Sequence, residues 1–284
     1  MAISVPLMSS GELAARLRDE DVLVCDCRFL GDAEGSRAQY AAGHVPGAIH
    51  VYWLDDLSAA DTTVTTLLPN AAEAADRLGR LGITHDKIVV AYSDAGNLYA
   101  SRLWHVLAHY GHERVALLDG GIEKWQAESR PLEDGAVSPS PARFEPREPG
   151  CLSGISAGEI VERLDDPGIR LVDVRGPAEF SGEQRRATRG GHIPGAVLWP
   201  WEENVQEDGT LRDPAEIRAR ARAAGLLPEQ ELVTYCQGGV RAAHAALALR
   251  TAGYPRVRIY DGSWAEWGND SALPVEDGLT AAAA

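Results

Sequence analysis

Four short motifs occur twice in this chain, in the same order, and this duplication limits the possible folds more than any other feature. The second copies follow the first at offsets between 142 residues (119 to 261) and 148 residues (43 to 191). Self-similarity at a nearly fixed spacing indicates repeated structural units, and 284 residues are enough for two ordinary domains. The motif pairs are VLVCDCR (22–28) and IRLVDVR (169–175), GHVPGA (43–48) and GHIPGA (191–196), KIVVAYS (87–93) and ELVTYC (231–236), and DGG (119–121) and DGS (261–263).

Each half alternates short β-branched runs with helical stretches, which is typical of βαβ units. We therefore expect an α/β fold of two tandem domains, each a mainly parallel sheet flanked by helices and related by internal duplication. Ligands of such sheets bind at the carboxyl ends of the strands. The predicted strands are 22–24, 88–91, 115–118, 171–174, 232–235 and 257–260, and the predicted helices include 10–18, 71–81 and 98–110.

The segment between the two halves is rich in proline, serine and glycine and lacks periodicity, so it is predicted to be an extended linker. We expect a first domain at 1–130, the linker at 131–150, a second domain at 151–278 and a short tail at 279–284.

Charge and cysteine usage narrow the function. The formal net charge of −15 argues against nucleic acid and anionic membranes as partners. The sequence has no 18-residue apolar run and no signal-type N-terminus, and its four cysteines do not form a disulfide framework. We therefore expect a cytoplasmic protein whose thiols stay reduced.

Cys236 stands where a predicted strand ends, before two glycines and a predicted helix over 242–249. This arrangement points backbone N–H groups and the positive end of a helix dipole at one sulfur. Both favour the thiolate, which is the nucleophilic form of cysteine. The interpretation requires the sulfur to face this bend; a structural cysteine sealed in the interior is the alternative.

Taken together, the ordered motifs resemble the rhodanese family of sulfurtransferases over nearly the whole chain. The resemblance implies that Cys236 takes a sulfane sulfur from a small anionic donor, forms a persulfide and passes the sulfur to a thiophilic acceptor. Cyanide, a small thiol or a thiol reductant protein are the candidate acceptors, and no metal or organic cofactor is required. In the first half, Ser93 stands at the position of the cysteine. The first domain is therefore expected to be inactive and to form part of the wall of the active site.

The resemblance also implies a set of substrate-binding residues. Arg175 matches the family arginine after the first strand of the active domain, Arg185 matches one that grips a substrate carboxylate, and Arg241 supplies positive charge in the loop. Arg186 and Arg189 are expected to be solvated. The backbone N–H groups expected to stabilise the persulfide belong to Gln237, Gly238, Gly239, Val240 and Arg241.

The family divides mainly into users of thiosulfate and of 3-mercaptopyruvate, and this loop matches neither pattern fully. Gln237 and Gly238 stand where thiosulfate enzymes of animals carry basic residues. Tyr52 stands near the place where mercaptopyruvate enzymes carry an aspartate, with Asp55 and Asp56 slightly later. Thiosulfate needs no proton relay, so we expect thiosulfate as the donor, with 3-mercaptopyruvate as the alternative.

Two other function classes remain open. A cysteine-dependent phosphatase or arsenate reductase uses a loop with five residues between cysteine and arginine, whereas four residues separate Cys236 from Arg241. A non-catalytic binding module would be expected to have lost the cysteine. The histidines of the GHVPGA and GHIPGA motifs are expected to be structural, Cys25 and Cys27 to be a buried pair, and Cys151 has no chemical context.

Overall fold

The computed structural model describes residues 7–60, 62–64, 66–149 and 152–278, which form two similar α/β domains. No helix in these ranges is long and apolar enough to cross a membrane. The first domain consists of β1 (Leu7–Met8), α1 (Ser10–Arg16), β2 (Val22–Asp26), α2 (Ala33–Ala42), β3 (Ile49–His50), α3 (Trp53–Asp56), α4 (Ala71–Arg80), β4 (Ile88–Tyr92), α5 (Leu98–His109), β5 (Val115–Leu118) and α6 (Gly121–Ala127). The second consists of α7 (Ala157–Glu162), β6 (Ile169–Asp173), α8 (Pro177–Phe180), β7 (Val197–Leu198), α9 (Pro214–Ala223), β8 (Glu231–Tyr235), α10 (Val240–Thr251), β9 (Val257–Ile259) and α11 (Ser263–Trp267).

Each domain is built on a parallel sheet, which confirms the predicted fold class. The first sheet has the strand order β1-β5-β4-β2-β3 and the second β7-β6-β8-β9, with every strand pair parallel. In the second domain a single parallel bridge from Gly154 to Ile259 lies beside β9, where the first domain has β1. The central strands β4 and β8 are apolar and almost wholly buried, as expected for a sheet covered by helices on both faces.

The two domains pack through α5 and α10, the helices that follow β4 and β8. Nine consecutive residues of α10, 242–250, are buried, because the helix lies against its own sheet, α9 and α5 together. Five of the twelve residues of α10 are alanine, and these small side chains allow neighbouring elements to approach closely. The cysteine loop, which leads into α10, is therefore held between the domains.

The segment after α6 stays packed on the first domain. His44 and Glu133 exchange backbone hydrogen bonds of 2.9 Å in each direction, and Ala142 N–H donates to Gly79 C=O at 2.8 Å. In the second domain His192 and Glu276 form the corresponding bridge. Backbone contacts of the first domain therefore continue beyond residue 130.

Candidate active site

Cys236 lies at the carboxyl end of β8, in a turn that leads directly into α10. Gly239 precedes the first residue of α10 with φ of 82°, a left-handed conformation that favours glycine. A Cβ atom at Gly239 would also overlap with the side chains of Asp261 and Arg102. The second glycine of the loop is therefore required both for the turn and for close packing.

A row of backbone N–H groups follows Cys236 without partners. The Cys236 N–H donates to Ser263 Oγ at 3.1 Å, and Ser263 Oγ–H donates to Tyr260 C=O at 2.9 Å. The next N–H groups donate to no acceptor in the part of the chain that the structure describes. Unpaired N–H groups in a turn before a helix form a cradle for an anion. They belong to Gln237, Gly238, Gly239, Val240 and Arg241.

In the corresponding loop of the first domain, one N–H group is bound by a carboxylate and another by an amide side chain. The Ala95 N–H donates to Glu123 Oε1 at 2.9 Å, and Ser93 N–H donates to the side chain of Asn97 at the same distance. The backbone N–H of Ile122 donates to Ser93 C=O, as Trp264 N–H donates to Cys236 C=O.

These two equivalent hydrogen bonds align Ile122 with Trp264. The next residue is Glu123 in the first domain and Ala265 in the second. Glu123 binds an N–H group of the loop beside Ser93, and Ala265 offers no acceptor at the equivalent place beside Cys236. This difference was not predicted, although it is present in the aligned segments DGGIEKW (119–125) and DGSWAEW (261–267).

Cys236 is more deeply buried than an open bend would suggest, with 1% of its surface exposed. The loop that follows it is covered by the first domain, because Thr66 lies against Gly238. The expected accessible sulfur is therefore not observed: Cys236 belongs to a buried core cluster, and transfer at this sulfur requires a movement that exposes it.

Arg241 is held by a carboxylate. Its Nη1 and Nη2 donate to the two oxygens of Glu179 at 2.6 and 3.0 Å, a bidentate pair that is largely buried. Burial would raise the pKa of Glu179, but the hydrogen bonds and charge of Arg241 hold that pKa below its ordinary value. Burial opposes the charge on Arg241, yet the hydrogen bonds and charge of Glu179 raise the pKa of Arg241 above its ordinary value.

Arg175 is engaged in the interior, where it is 1% exposed. Its Nε and Nη2 donate to the Asp173 carboxylate, and Nη2 also donates to Gly191 C=O at 2.7 Å. Arg28 makes the equivalent contacts with Asp26 and Gly43 in the domain that lacks a cysteine. These contacts favour a structural role for Arg175, which ties the GHIPGA turn to β6, over the expected contact with substrate.

The segment 185–189 lies next to the cysteine loop, because Gln237 Nε2 donates to Arg186 C=O at 3.2 Å. Arg185 is exposed and makes no hydrogen bond or ion pair with the described residues. Arg186 is half exposed and lies 3.5 Å from Glu179. Arg189 is not solvated as expected: its guanidinium donates to backbone carbonyls at and after the end of α11, including Trp267 C=O at 2.7 Å.

An ion pair between the domains holds the segment 261–263, which contacts the cysteine loop. Arg102 of α5 is fully buried and pairs with Asp261, the residue two positions before Ser263. Asp261 also accepts the Leu68 N–H at 2.6 Å, and Arg102 Nη2 donates to Thr66 C=O at 2.6 Å. The first domain therefore holds the segment that binds the Cys236 N–H.

The remaining cysteines and histidines do not extend the site. Cys25 and Cys27 are buried, and burial raises the pKa of both thiols. Cys151 lies outside the described residues. The motif histidines His44 and His192 each place Nδ1 against a backbone carbonyl in both domains, which fits a structural role. Within the described ranges, no group of three or more His, Cys, Asp and Glu side chains could hold a metal ion.

The family model of the rhodanese-like domain matches residues 9–128 and 156–270. The class defined by fold and comparison is thus a chain of two rhodanese-like domains. The chain belongs to the rhodanese-like family.

Two curated relatives match nearly the whole chain. A probable 3-mercaptopyruvate sulfurtransferase of Pseudomonas aeruginosa is 38% identical over 284 residues, covering 97% of this chain and 99% of that protein. A thiosulfate sulfurtransferase of Corynebacterium glutamicum is 34% identical over 287 residues, covering 96% of this chain and 90% of that protein. Both are named as enzymes of sulfur transfer, with different donors.

A solved structure has the same arrangement of elements. The anaerobic ergothioneine biosynthesis enzyme of Chlorobium limicola, in complex with trimethyl histidine, is 27% identical with a TM-score of 0.85. The match covers 96% of this chain and 70% of that one. The two-domain architecture is therefore shared with a protein that is named for a different function.

Proposed function

We propose that this protein is a sulfurtransferase that moves a sulfane sulfur from thiosulfate to a thiophilic acceptor through a persulfide on Cys236. The observation that carries the proposal is the row of unpaired backbone N–H groups after Cys236, whereas the equivalent loop of the first domain has an N–H group bound by Glu123. Backbone dipoles aimed at one atom stabilise negative charge there without reorganising. An anionic sulfur and its persulfide are the species that such a cradle suits.

The proposed reaction has two steps. The Cys236 thiolate attacks the outer sulfur of thiosulfate, the sulfur–sulfur bond of thiosulfate breaks, and sulfite leaves with the bonding electron pair. Cyanide or a thiolate then attacks the terminal sulfur of the persulfide, which restores the Cys236 thiolate. The donor product leaves before the acceptor reacts, so ping-pong kinetics are expected.

Thiosulfate is favoured because its reaction requires no proton transfer. With 3-mercaptopyruvate, the thiol proton must end on the carbon that loses sulfur, so the site would need a proton relay. Two aspartates follow the expected relay position: Asp55 is exposed, and Asp56 accepts the Tyr52 N–H at 2.8 Å.

3-Mercaptopyruvate remains the alternative donor, since the Pseudomonas relative carries that name. Its carboxylate requires a cation, and the exposed guanidinium of Arg185 is the candidate for this contact. The proposed substrate-binding groups are accordingly Arg185, Arg241 and the loop amides, with thiosulfate bound through the amides and the charge of Arg241.

Side-by-side measurement of kcat/KM for thiosulfate and 3-mercaptopyruvate, with cyanide as acceptor, tests the proposal. We expect the thiosulfate value to be at least about tenfold higher, a difference of about 1.4 kcal/mol in transition-state binding. A higher kcat/KM for 3-mercaptopyruvate would identify 3-mercaptopyruvate as the preferred donor. Absence of transfer from both donors would refute the proposal.

Two further measurements separate the remaining function classes. Hydrolysis of an aryl phosphate at a rate that depends on Cys236 would indicate a phosphatase. Absence of a persulfide after exposure to either donor would indicate a non-catalytic binding module. We expect a reducing, cytoplasmic setting, because Cys236 must remain a free thiol, and small thiols or a thiol reductant protein then serve as acceptors.

A further inference from the structure

Thr66 is a first-domain residue that lies against the cysteine loop of the second domain. A Cβ atom placed on Gly238 would lie 2.7 Å from Thr66 Oγ1 and 3.2 Å from both Cβ and Cγ2 of Thr66. The side chain therefore covers the middle of the loop whose N–H groups are unpaired. Glycine at 238 is the residue that allows this approach.

The hydroxyl of Thr66 is buried and has no hydrogen-bond partner among the described residues. Leaving a buried hydroxyl unpaired costs free energy, so such a group calls for an explanation. Gln237 Oε1, on the neighbouring loop residue, is also buried and unpaired. Two unsatisfied polar atoms thus belong to this region, one on Thr66 beside Gly238 and one on the loop residue Gln237.

Thr66 is held in this place by the contact between the domains. Its backbone carbonyl accepts a 2.6 Å hydrogen bond from Arg102 Nη2, and Arg102 is paired with Asp261. Two residues later, Leu68 N–H donates to Asp261 at 2.6 Å. The hydroxyl is therefore fixed with respect to the cysteine loop, as a specific hydrogen-bond donor must be.

We propose that Thr66 is a substrate-binding residue, and that its hydroxyl donates a hydrogen bond to an anionic oxygen of the sulfur donor bound at Cys236. This inference rests on the proposed sulfur-transfer function and makes the first domain a direct contributor to the site. A hydroxyl can donate a hydrogen bond to an anionic oxygen, and because it is neutral it leaves the net charge of the site unchanged.

The test compares Thr66→Val, which keeps the shape and removes the hydroxyl, with Thr66→Ser, which keeps the hydroxyl. Thr63→Val, an exposed threonine of the same segment, is the control. We expect Thr66→Val to lower kcat/KM for thiosulfate by about tenfold, as for the loss of one hydrogen bond to a charged group. Thr66→Ser and Thr63→Val should stay within about twofold of the parent.

The half-reactions locate the effect. Persulfide formation from thiosulfate should slow in Thr66→Val, while cyanide should discharge a preformed persulfide at the parental rate. Equal rates of persulfide formation in Thr66→Val and the parent would overturn the proposal. If the valine variant does not fold, Thr66→Ala against Thr66→Ser gives the same comparison. Failure of the parent itself to form a persulfide would instead refute the proposed function.

Discussion

Arg241 and Glu179 form a two-point ion pair beside the cysteine loop, with both carboxylate oxygens bound to the one guanidinium. The glutamate side chain is 5% exposed and the arginine 16%. The pair fixes a positive charge near Cys236 in one orientation. It also means that removal of either partner leaves a poorly hydrated charge behind.

Arg241→Ala should lower kcat/KM for thiosulfate by about a hundredfold, because it both removes a cation and leaves the Glu179 carboxylate uncompensated. In the double variant Glu179→Gln, Arg241→Ala that carboxylate is absent, so about tenfold of the activity should return. Steady-state kinetics of the parent, both single variants and the double variant give the coupling free energy between Glu179 and Arg241. Equal losses in the arginine single and double variants would show that Glu179 does not act on the site.

Ala265→Glu should close the cradle. The first domain shows the geometry, with the Glu123 carboxylate accepting the Ala95 N–H at the corresponding position. A carboxylate at 265 would bind the loop amides and repel an anionic donor, so persulfide formation should fall by at least about a hundredfold. Glu123→Ala, the matched change in the first domain, should leave the activity within about twofold. An active Ala265→Glu enzyme with thiosulfate would argue against the cradle.

Asp261→Asn should destabilise the protein strongly. It breaks the buried pair with Arg102, and the loss of a partner from such a pair typically costs about 3–5 kcal/mol. The control is Asp76→Asn, which breaks an exposed helix pair with Arg80 and should cost no more than about 0.5 kcal/mol. Urea unfolding measures both. Similar small losses for the two variants would show that the domains are not held together through Arg102.

His244 should make stability depend on pH. Burial lowers the pKa of this α10 histidine from 6.5 to about 4, and its ring packs on Trp201 of the same domain. The unfolded chain therefore binds more protons between pH 4 and 6.5, so stability from this group is full above pH 6.5 and declines as the pH falls towards 4. The total is about 3 kcal/mol.

The difference in unfolding free energy between the parent and His244→Gln isolates this contribution from the other buried histidines. We expect that difference to change with pH below 6.5 and to be constant above it. A difference that stays constant down to pH 4 would mean that His244 titrates normally.

Local patterns in the sequence predicted three strands of each sheet and the cysteine turn, but not the two-residue strands β1, β3 and β7. The run 232–235 is apolar and short, and the glycines after Cys236 end it, so the strand, turn and α10 follow from residues that are neighbours in the chain. Because the motifs are repeated in the same order, the fold predicted for one half could be assigned to the other half as well.

Contacts between distant segments could not be predicted in this way. Glu179 precedes Arg241 by 62 residues, and Arg102 precedes Asp261 by 159. Pairing at such separations depends on the finished packing of the two domains. One difference between the two loops could have been predicted from the sequence. A residue-by-residue alignment of the two halves places Glu123 of the first at the position of Ala265 in the second.

The most direct measurement of sulfur transfer is the intact mass of the protein, followed by peptide mapping, after exposure to thiosulfate and removal of the excess. A gain of about 32 Da, one sulfur atom, is expected on the peptide that contains Cys236, and cyanide should remove it. Cys236→Ser should show no gain while unfolding like the parent, since serine occupies the equivalent position 93. An unmodified Cys236 peptide, or the added sulfur on Cys25 or Cys27 instead, would contradict a persulfide carried at the end of β8.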